Sequence, residues 1–202
     1  GTQLASKKAS DATFTFSRIP SGQIWVQSDA AIGDVRGVAR SISKVPGIGR
    51  PVVIRGTSSP ATDSIDGSNA FFTRQQKTGR SSNAIMIVQN AEQIRRLIGH
   101  RLPAGAEAVL TSGGVLDFTR TEGKQRFAVF RGSERVRTTP EVETFRIRPD
   151  RQLRANFGGA VLLSTAKALD LPISEPTRYI YPDVSTKETE DAVQTAVDAG
   201  YD

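Results

Sequence analysis

The chain contains no cysteine, and histidine is represented by His100 alone. The missing sulfur excludes disulfides, thiol nucleophiles and thiolate zinc sites together, since each needs a group the sequence does not supply. The compartment stays open, because a chain of 202 residues buries enough core to hold without covalent staples. A single imidazole also excludes any metal site that takes two histidines from one chain. Carboxylate-only Ca²⁺ or Mg²⁺ sites survive this count, but no Asp-x-Asp-x-Asp-Gly loop occurs. No metal and no cofactor are therefore expected.

Long apolar runs are lacking too. Nothing approaches the roughly 18 uninterrupted apolar residues of a membrane-spanning helix, and the opening Gly-Thr-Gln-Leu-Ala-Ser has no apolar signal-peptide core. If the protein belongs at a membrane, its anchors lie outside these residues. No Walker A sequence exists, which removes ATP binding by that route. Gly47-x-Gly49 lacks the third glycine of a dinucleotide loop and follows a helical pattern, so it reads as a turn.

What is present is a globular balance, 37% hydrophobic and 24% charged, enough for one domain of ordinary to large size or two small ones. The net charge of +6 is unevenly spread. Between Asp117 and Arg154 ten basic residues face six acidic ones, a local excess of +4, whereas the closing helix is acidic. Arg126, Arg131, Arg135, Arg137, Arg146 and Arg148 form the candidate partner-binding surface of this stretch. Its aromatics, Phe127, Phe130 and Phe145, are spaced for core packing rather than for stacking bases, so nucleic acid is not an expected partner.

Residues 1–11 are polar and aperiodic and read as a flexible lead-in. Thr13–Ser17 alternates as a half-buried strand does, and Gln23–Gln27 reads as another, with Trp25 as a core or rim aromatic. Val35, Val38, Ile42 and Val45 recur at helical steps after a capping Asp29 or Asp34, and Pro46-Gly47 ends that helix before the β-branched strand Pro51–Arg55. Residues 57–82 are rich in Ser, Thr, Asp and Gly and read as an exposed excursion anchored by Phe71-Phe72. Strand Asn83–Gln89, a helix capped by Asn90 and stopped by Gly99, and a short helix Ala104–Leu110 follow. Val115–Phe118, Arg126–Phe130 and Glu141–Arg148 read as an antiparallel sheet. Strand Gly158–Leu163, a helix capped by Ser164, strand Thr177–Tyr181, containing the core or rim aromatic Tyr179, and a closing helix capped by Ser185 or Thr186 complete the chain.

Two Ser-x-x-Lys matches, Ser41–Lys44 and Ser164–Lys167, and one Lys77-Thr-Gly79 resemble parts of the penicillin-binding set, but in the wrong order along the chain. His100 is accompanied by no Gly-x-Ser-x-Gly elbow. No catalytic residues are assigned, and an enzyme is not expected.

The unit Asp34–Ile54, a helix, a Val45-Pro46-Gly47-Ile48 turn and a strand, is partly echoed by Lys187–Asp202, where the helix and glycine stop return without the strand. This reads as a domain excised from something larger. Val38–Ile48 is similar to the helix and Leu/Val-Pro-Gly-Val turn that open the large extracytoplasmic domain of FtsX-like and MacB-like ABC transporter permeases. Ala91–Gly99 with Ala106–Val115, Gly159–Pro172 and Ser185–Gly200 resemble further segments of the same domains, the last being the helix that leads back to the membrane.

The resemblance implies an α+β fold, a mixed βαβ-type, ferredoxin-like layer with an inserted, mainly antiparallel β-rich subdomain. It places residues 12–58 and 158–202 in the membrane-proximal part and 59–157 in the insert. It further implies a non-catalytic domain on the extracytoplasmic face of the cell membrane, coupling ATP-driven movement of membrane helices to cargo or partner-protein recognition. The ABC ATPase subunit would be reached through the parent permease, the membrane through flanking helices outside this chain, and the cargo, a protein, lipid or peptide, does not follow from membership. The alternative is a free-standing cell-envelope module that contacts anionic polymers or lipids.

Overall fold

The computed structural model describes residues 2–9, 12–18, 23–28, 35–57, 69–72, 85–99, 101–118, 123–131, 134–182 and 187–199. In chain order the elements begin with strands β1 (Thr2–Ala9), β2 (Ala12–Arg18) and β3 (Ile24–Ser28), helix α1 (Val35–Ser43), and strands β4 (Val52–Arg55), β5 (Asn69–Phe72) and β6 (Ile85–Val88). Helices α2 (Ala91–Ile98) and α3 (Ala104–Thr111) precede strands β7 (Val115–Asp117), β8 (Gly123–Gln125), β9 (Ala128–Arg131), β10 (Glu134–Thr138) and β11 (Val142–Arg146). Helix α4 (Arg151–Asn156), strand β12 (Gly159–Leu162), helix α5 (Leu163–Ala168), strand β13 (Pro176–Tyr181) and helix α6 (Lys187–Ala199) complete the order. The fold is α+β with mixed strand pairing. The chain divides into two compact units, residues 1–54 with 176–202, and residues 55–175.

In the first unit the strand order is β1-β2-β3-β13-β4. Helix α1 joins β3 to β4, yet β13, arriving after the whole second unit, lies between them. This is the split β-α-β arrangement of a ferredoxin-like layer. β13 runs antiparallel to β3, with Tyr179 opposite Val26, Ile180 opposite Trp25 and Tyr181 opposite Ile24. Because side chains alternate across a strand, one face carries Ile24, Val26, Tyr179 and Tyr181 together. Val38, Ala39, Ile42 and Val45 of the α1 region and Val193 of α6 join these residues in one buried cluster. Val38, Ile42 and Val45 of the helical spacing read from the sequence are thus the buried stripe, and the side chain of Val35 lies outside the described residues. Trp25 and Ile180, on the opposite face, are also buried, and the Trp25 Nε1–H donates to Gln23 Oε1 at 3.0 Å.

The second unit contains two sheets. In one, the order β6-β12-β7-β11-β8 combines parallel pairs, β12 with β6 and β11 with β7, with antiparallel pairs, β12 with β7 and β11 with β8. The other has the order β10-β9-β5. All four residues of β6 and of β12 are buried, as continuous apolar runs require when both faces of a sheet are covered. Ile85, Ile87, Val161, Val115, Phe127, Val129 and Val142 build the core with Ala166 of α5 and Leu171. Helix α2 begins where Asn90 accepts from the Gln93 backbone N–H at 3.1 Å while Gln93 Oε1 accepts from the Gln89 N–H at 2.7 Å, a capping box moved one residue outward. Gly99 ends it at φ 78°, a left-handed conformation that glycine adopts without Cβ strain.

The ends of the insert are tied. Gly56 N–H donates to Ser174 Oγ at 2.8 Å, Ser174 N–H returns to the Gly56 carbonyl at 3.0 Å, and an Arg55 guanidinium N–H reaches the Ser174 carbonyl at 3.1 Å.

Several expectations are corrected. Residues 2–9 do not form a flexible lead-in but pair antiparallel with β2 along its length, ladder hydrogen bonds compensating for the weak apolar pattern. Residues 158–175, grouped by the sequence with the first unit, pack in the second, because β12 pairs with β6 and β7. Helix α5 takes Leu162 rather than Ser164 as its N-cap, since β12 runs directly into it. Strands β8 and β10 and helix α4 have too little apolar periodicity to be seen in advance. Within 57–82, Thr57 is buried rather than exposed, Asn69–Phe72 is a strand paired with β9, and the rest of the excursion lies outside the described residues, as do the capping Asp29, Asp34, Ser185 and Thr186.

Gly159 offers the sharpest test of this packing. A Cβ there would run into the Leu116 carbonyl oxygen, which is backbone and has no rotamer to yield, and would meet Ile85 Cδ1 at 2.9 Å. Gly159→Ala should lower stability by about 2–3 kcal/mol, the range of overpacked cores, as read from the urea midpoint. An unchanged midpoint would show that β12 does not pass this close to β7.

Candidate functional site: the basic face of helix α1

Helix α1 carries no acidic residue in its first turn and has Arg40 in its last. Arg36 and Arg40 stand in one row on the helix, about 6 Å apart in axial rise, and Lys44, four residues on, continues it in the turn that closes the helix. The buried stripe fixes where that row points. With Val38, Ala39 and Ile42 turned into the core, all three cations stay exposed. They border an open groove of about 790 Å³ whose lining also includes Ser41, Ser43 and Tyr179. Among the described residues, neither Arg40 nor Lys44 has an ion-pair or hydrogen-bond partner for its side chain.

The hydroxyls of this region are already committed. Tyr181, fully buried, donates from its phenol to the Ala39 carbonyl at 3.0 Å. That bond uses the only phenolic proton, so the 3.0 Å contact between Ser43 Oγ and Tyr181 Oη has Ser43 as donor. Ser41 Oγ donates to the Gly37 carbonyl at 3.3 Å, in the back-bonding manner of helical serines. Neither serine hydroxyl has a proton left for a ligand, so the groove offers an anion its cations and the Tyr179 phenol. Burial, more than any neighbouring charge, pushes the Tyr181 phenol up to about 12; the Ser43 hydrogen bond acts the other way and Tyr179 adds a smaller upward push.

No family model, curated protein or solved structure matches this chain.

The six arginines singled out in the sequence do not share one role. Arg126, Arg146 and Arg148 are exposed. Arg131 and Arg135 lie on β9 and β10, with side chains outside the described residues. Arg137 is half-buried, its Nη2 donating to the carbonyls of Leu169 and Asp170, so its guanidinium is engaged at the C-terminal end of α5. Asp170 has φ 54°, the left-handed turn that brings this carbonyl within reach. On the neighbouring edge Lys124 stands opposite Glu143, a cross-strand pair of opposite charge.

Of the serine–lysine pairs, Ser41 is spent on Gly37, and Ser164 and Lys167 are both exposed on α5. Lys77-Thr-Gly79 and His100 lie outside the described residues. In the sequence the α1 row is overlaid by the apolar spacing of the same helix. The signal was available as three cations at intervals of four without an intervening acid.

The phenol at Tyr181 makes stability depend on pH in a defined window. Its folded pKa is raised above the ordinary value of 10.0, so the stabilisation is complete below pH 10 and is lost as pH rises through about 12. Tyr181→Phe should be less stable than the parent by about 1–2 kcal/mol at pH 8, because the Ala39 carbonyl loses its donor. That gap should narrow steadily as pH rises above 10 toward about 12, because the unfolded phenol ionises first. Urea denaturation of both proteins at pH 8, 10 and 11.5 measures it, and parallel pH profiles would contradict this account.

Proposed function

We propose that the protein is a non-catalytic extracytoplasmic domain of an ABC transporter permease of the FtsX-like and MacB-like kind, in which ATP-driven movement of membrane helices is coupled to recognition of a cargo or partner protein. The observation that carries this reading is the nesting of the chain: both terminal segments belong to one unit, and the other is inserted between residues 54 and 176. Anything joined to either terminus is then joined to the same unit. The insert's ends are held together at Gly56 and Ser174, so a pull on the first unit is delivered to the second through two adjacent strands of chain. Among the described residues no helix is long and apolar enough to cross a membrane, and the reading takes the spans from flanking sequence. The ATPase subunit is engaged through the parent permease.

A second reading, a free-standing cell-envelope module that meets anionic polymers or lipids, is favoured by the exposed cationic row on α1.

The full reading frame around these residues distinguishes the two. Thr138 is exposed, and the absence of native cysteine within the domain makes Thr138→Cys a unique reporter there. A permease domain predicts carbonate-resistant membrane association, labelling of that cysteine by an impermeant maleimide on intact cells, and loss of partner-stimulated ATPase activity when residues 57–173 are replaced by a short Gly/Ser linker. Release from the membrane by carbonate, or a frame without flanking hydrophobic spans, would sink the permease reading.

A further inference from the structure

We propose that the groove beside α1 is a binding site for a phosphate ester, held by Arg40 and Lys44 with Arg36 at the far end of the row. Like charges at four-residue intervals on a helix repel, by a few tenths of a kcal/mol per pair, and among the described residues of the groove lining no acid stands beside Arg40 and Lys44. An anion in the groove removes that repulsion and gives Arg40 and Lys44 the partner that neither has among the described residues. The row runs from Arg36 through Arg40 on the helix to Lys44 in the turn after it, with helical neighbours about 6 Å apart in rise, a spread too wide for one carboxylate to touch two cations. A phosphate presents several acceptor oxygens and close to two charges, and Arg receives it in bidentate fashion while Lys acts as a point charge.

The committed hydroxyls narrow the class further. Since Ser41 and Ser43 donate to Gly37 and Tyr181, recognition rests on charge and not on the serine hydroxyls. Tyr179 forms a wall of the groove but is itself buried, so the wall is firm. A volume of about 790 Å³ exceeds what an inorganic phosphate fills, leaving room for an organic moiety of headgroup size against that wall. The same chemistry is presented by a soluble phosphomonoester and by an anionic phospholipid headgroup. The site lies within the first unit, and its existence does not depend on the permease reading.

Calorimetry of the 202-residue protein with glycerol 3-phosphate, and co-sedimentation with phosphatidylglycerol vesicles against phosphatidylcholine controls, test the proposal and separate the sources. Binding in either arm is expected to fall at least about tenfold in Arg40→Glu/Lys44→Glu, the loss of two charge-assisted contacts, and to weaken with rising salt. Lys44→Arg should retain it, and Arg146→Glu, on the second unit, should leave it unchanged. Both altered α1 positions are exposed, so circular dichroism should report an intact fold. Binding to glycerol 3-phosphate alone assigns a soluble ligand, and binding to the vesicles alone assigns a lipid headgroup. The proposal is overturned if neither arm binds, or if binding survives the double charge reversal.

Discussion

The buried phenol of Tyr181 is the interaction on which the first unit turns. A hydroxyl sealed from water must find partners inside, and here it finds two, both in α1: the Ala39 carbonyl and the Ser43 side chain. Hydrophobic burial alone would let the helix slide or roll over the β3–β13 face, since Val38, Ile42 and Val45 meet an apolar surface without directional preference. The phenol removes that freedom. It specifies which turn of α1 lies over β13, and the spacing of the helix then dictates where Arg36, Arg40 and Lys44 stand. A core hydrogen bond thus sets the address of a surface feature.

The second unit relies on a different constraint. Its central strands approach so closely at Gly159 that only a residue without a side chain fits, and Gly114 meets a similar limit, where a Cβ would lie 2.7 Å from the Glu143 carbonyl oxygen. Gly105 gives room in α3 for the Phe145 ring, whose Cε2 would be 2.7 Å from an added Cβ. Where α2 and α3 meet, Arg95 and Glu107 form a 2.6 Å ion pair, but both side chains are more than a third exposed, so solvent screening holds it to about 1 kcal/mol or less. Close backbone approach, rather than charge, keeps these layers in register.

Much of this architecture was legible in the sequence where a local rule has no competitor. The Asn90 cap, the Gly99 stop and the continuous apolar runs of β6 and β12 are each stated by adjacent residues, and each is found in place. The parallel pairing of β11 with β7 was not legible, because a strand's own pattern does not say which partner it finds. β1 illustrates the opposite failure: Thr2–Ala9 has no apolar signature, and its strand conformation comes from the ladder it shares with β2. For the site, composition points to the arginines of 117–154, although a guanidinium such as that of Arg137 is as readily used to close a helix end as to meet a partner. Net charge reports how many cations exist, and only packing reports which of them stay available.

The tie between Gly56 and Ser174 also bears on the order of assembly. β13 pairs with β3 across the whole length of the insert, and closing a loop of about 120 residues in an unfolded chain costs roughly 4 kcal/mol in entropy. Once residues 55–175 have folded on themselves, their two ends already lie side by side, and the remaining closure is that of a short connection. The first unit, which contains both ends of the chain, is therefore the one that must wait: its halves meet readily only after the segment made between them has folded.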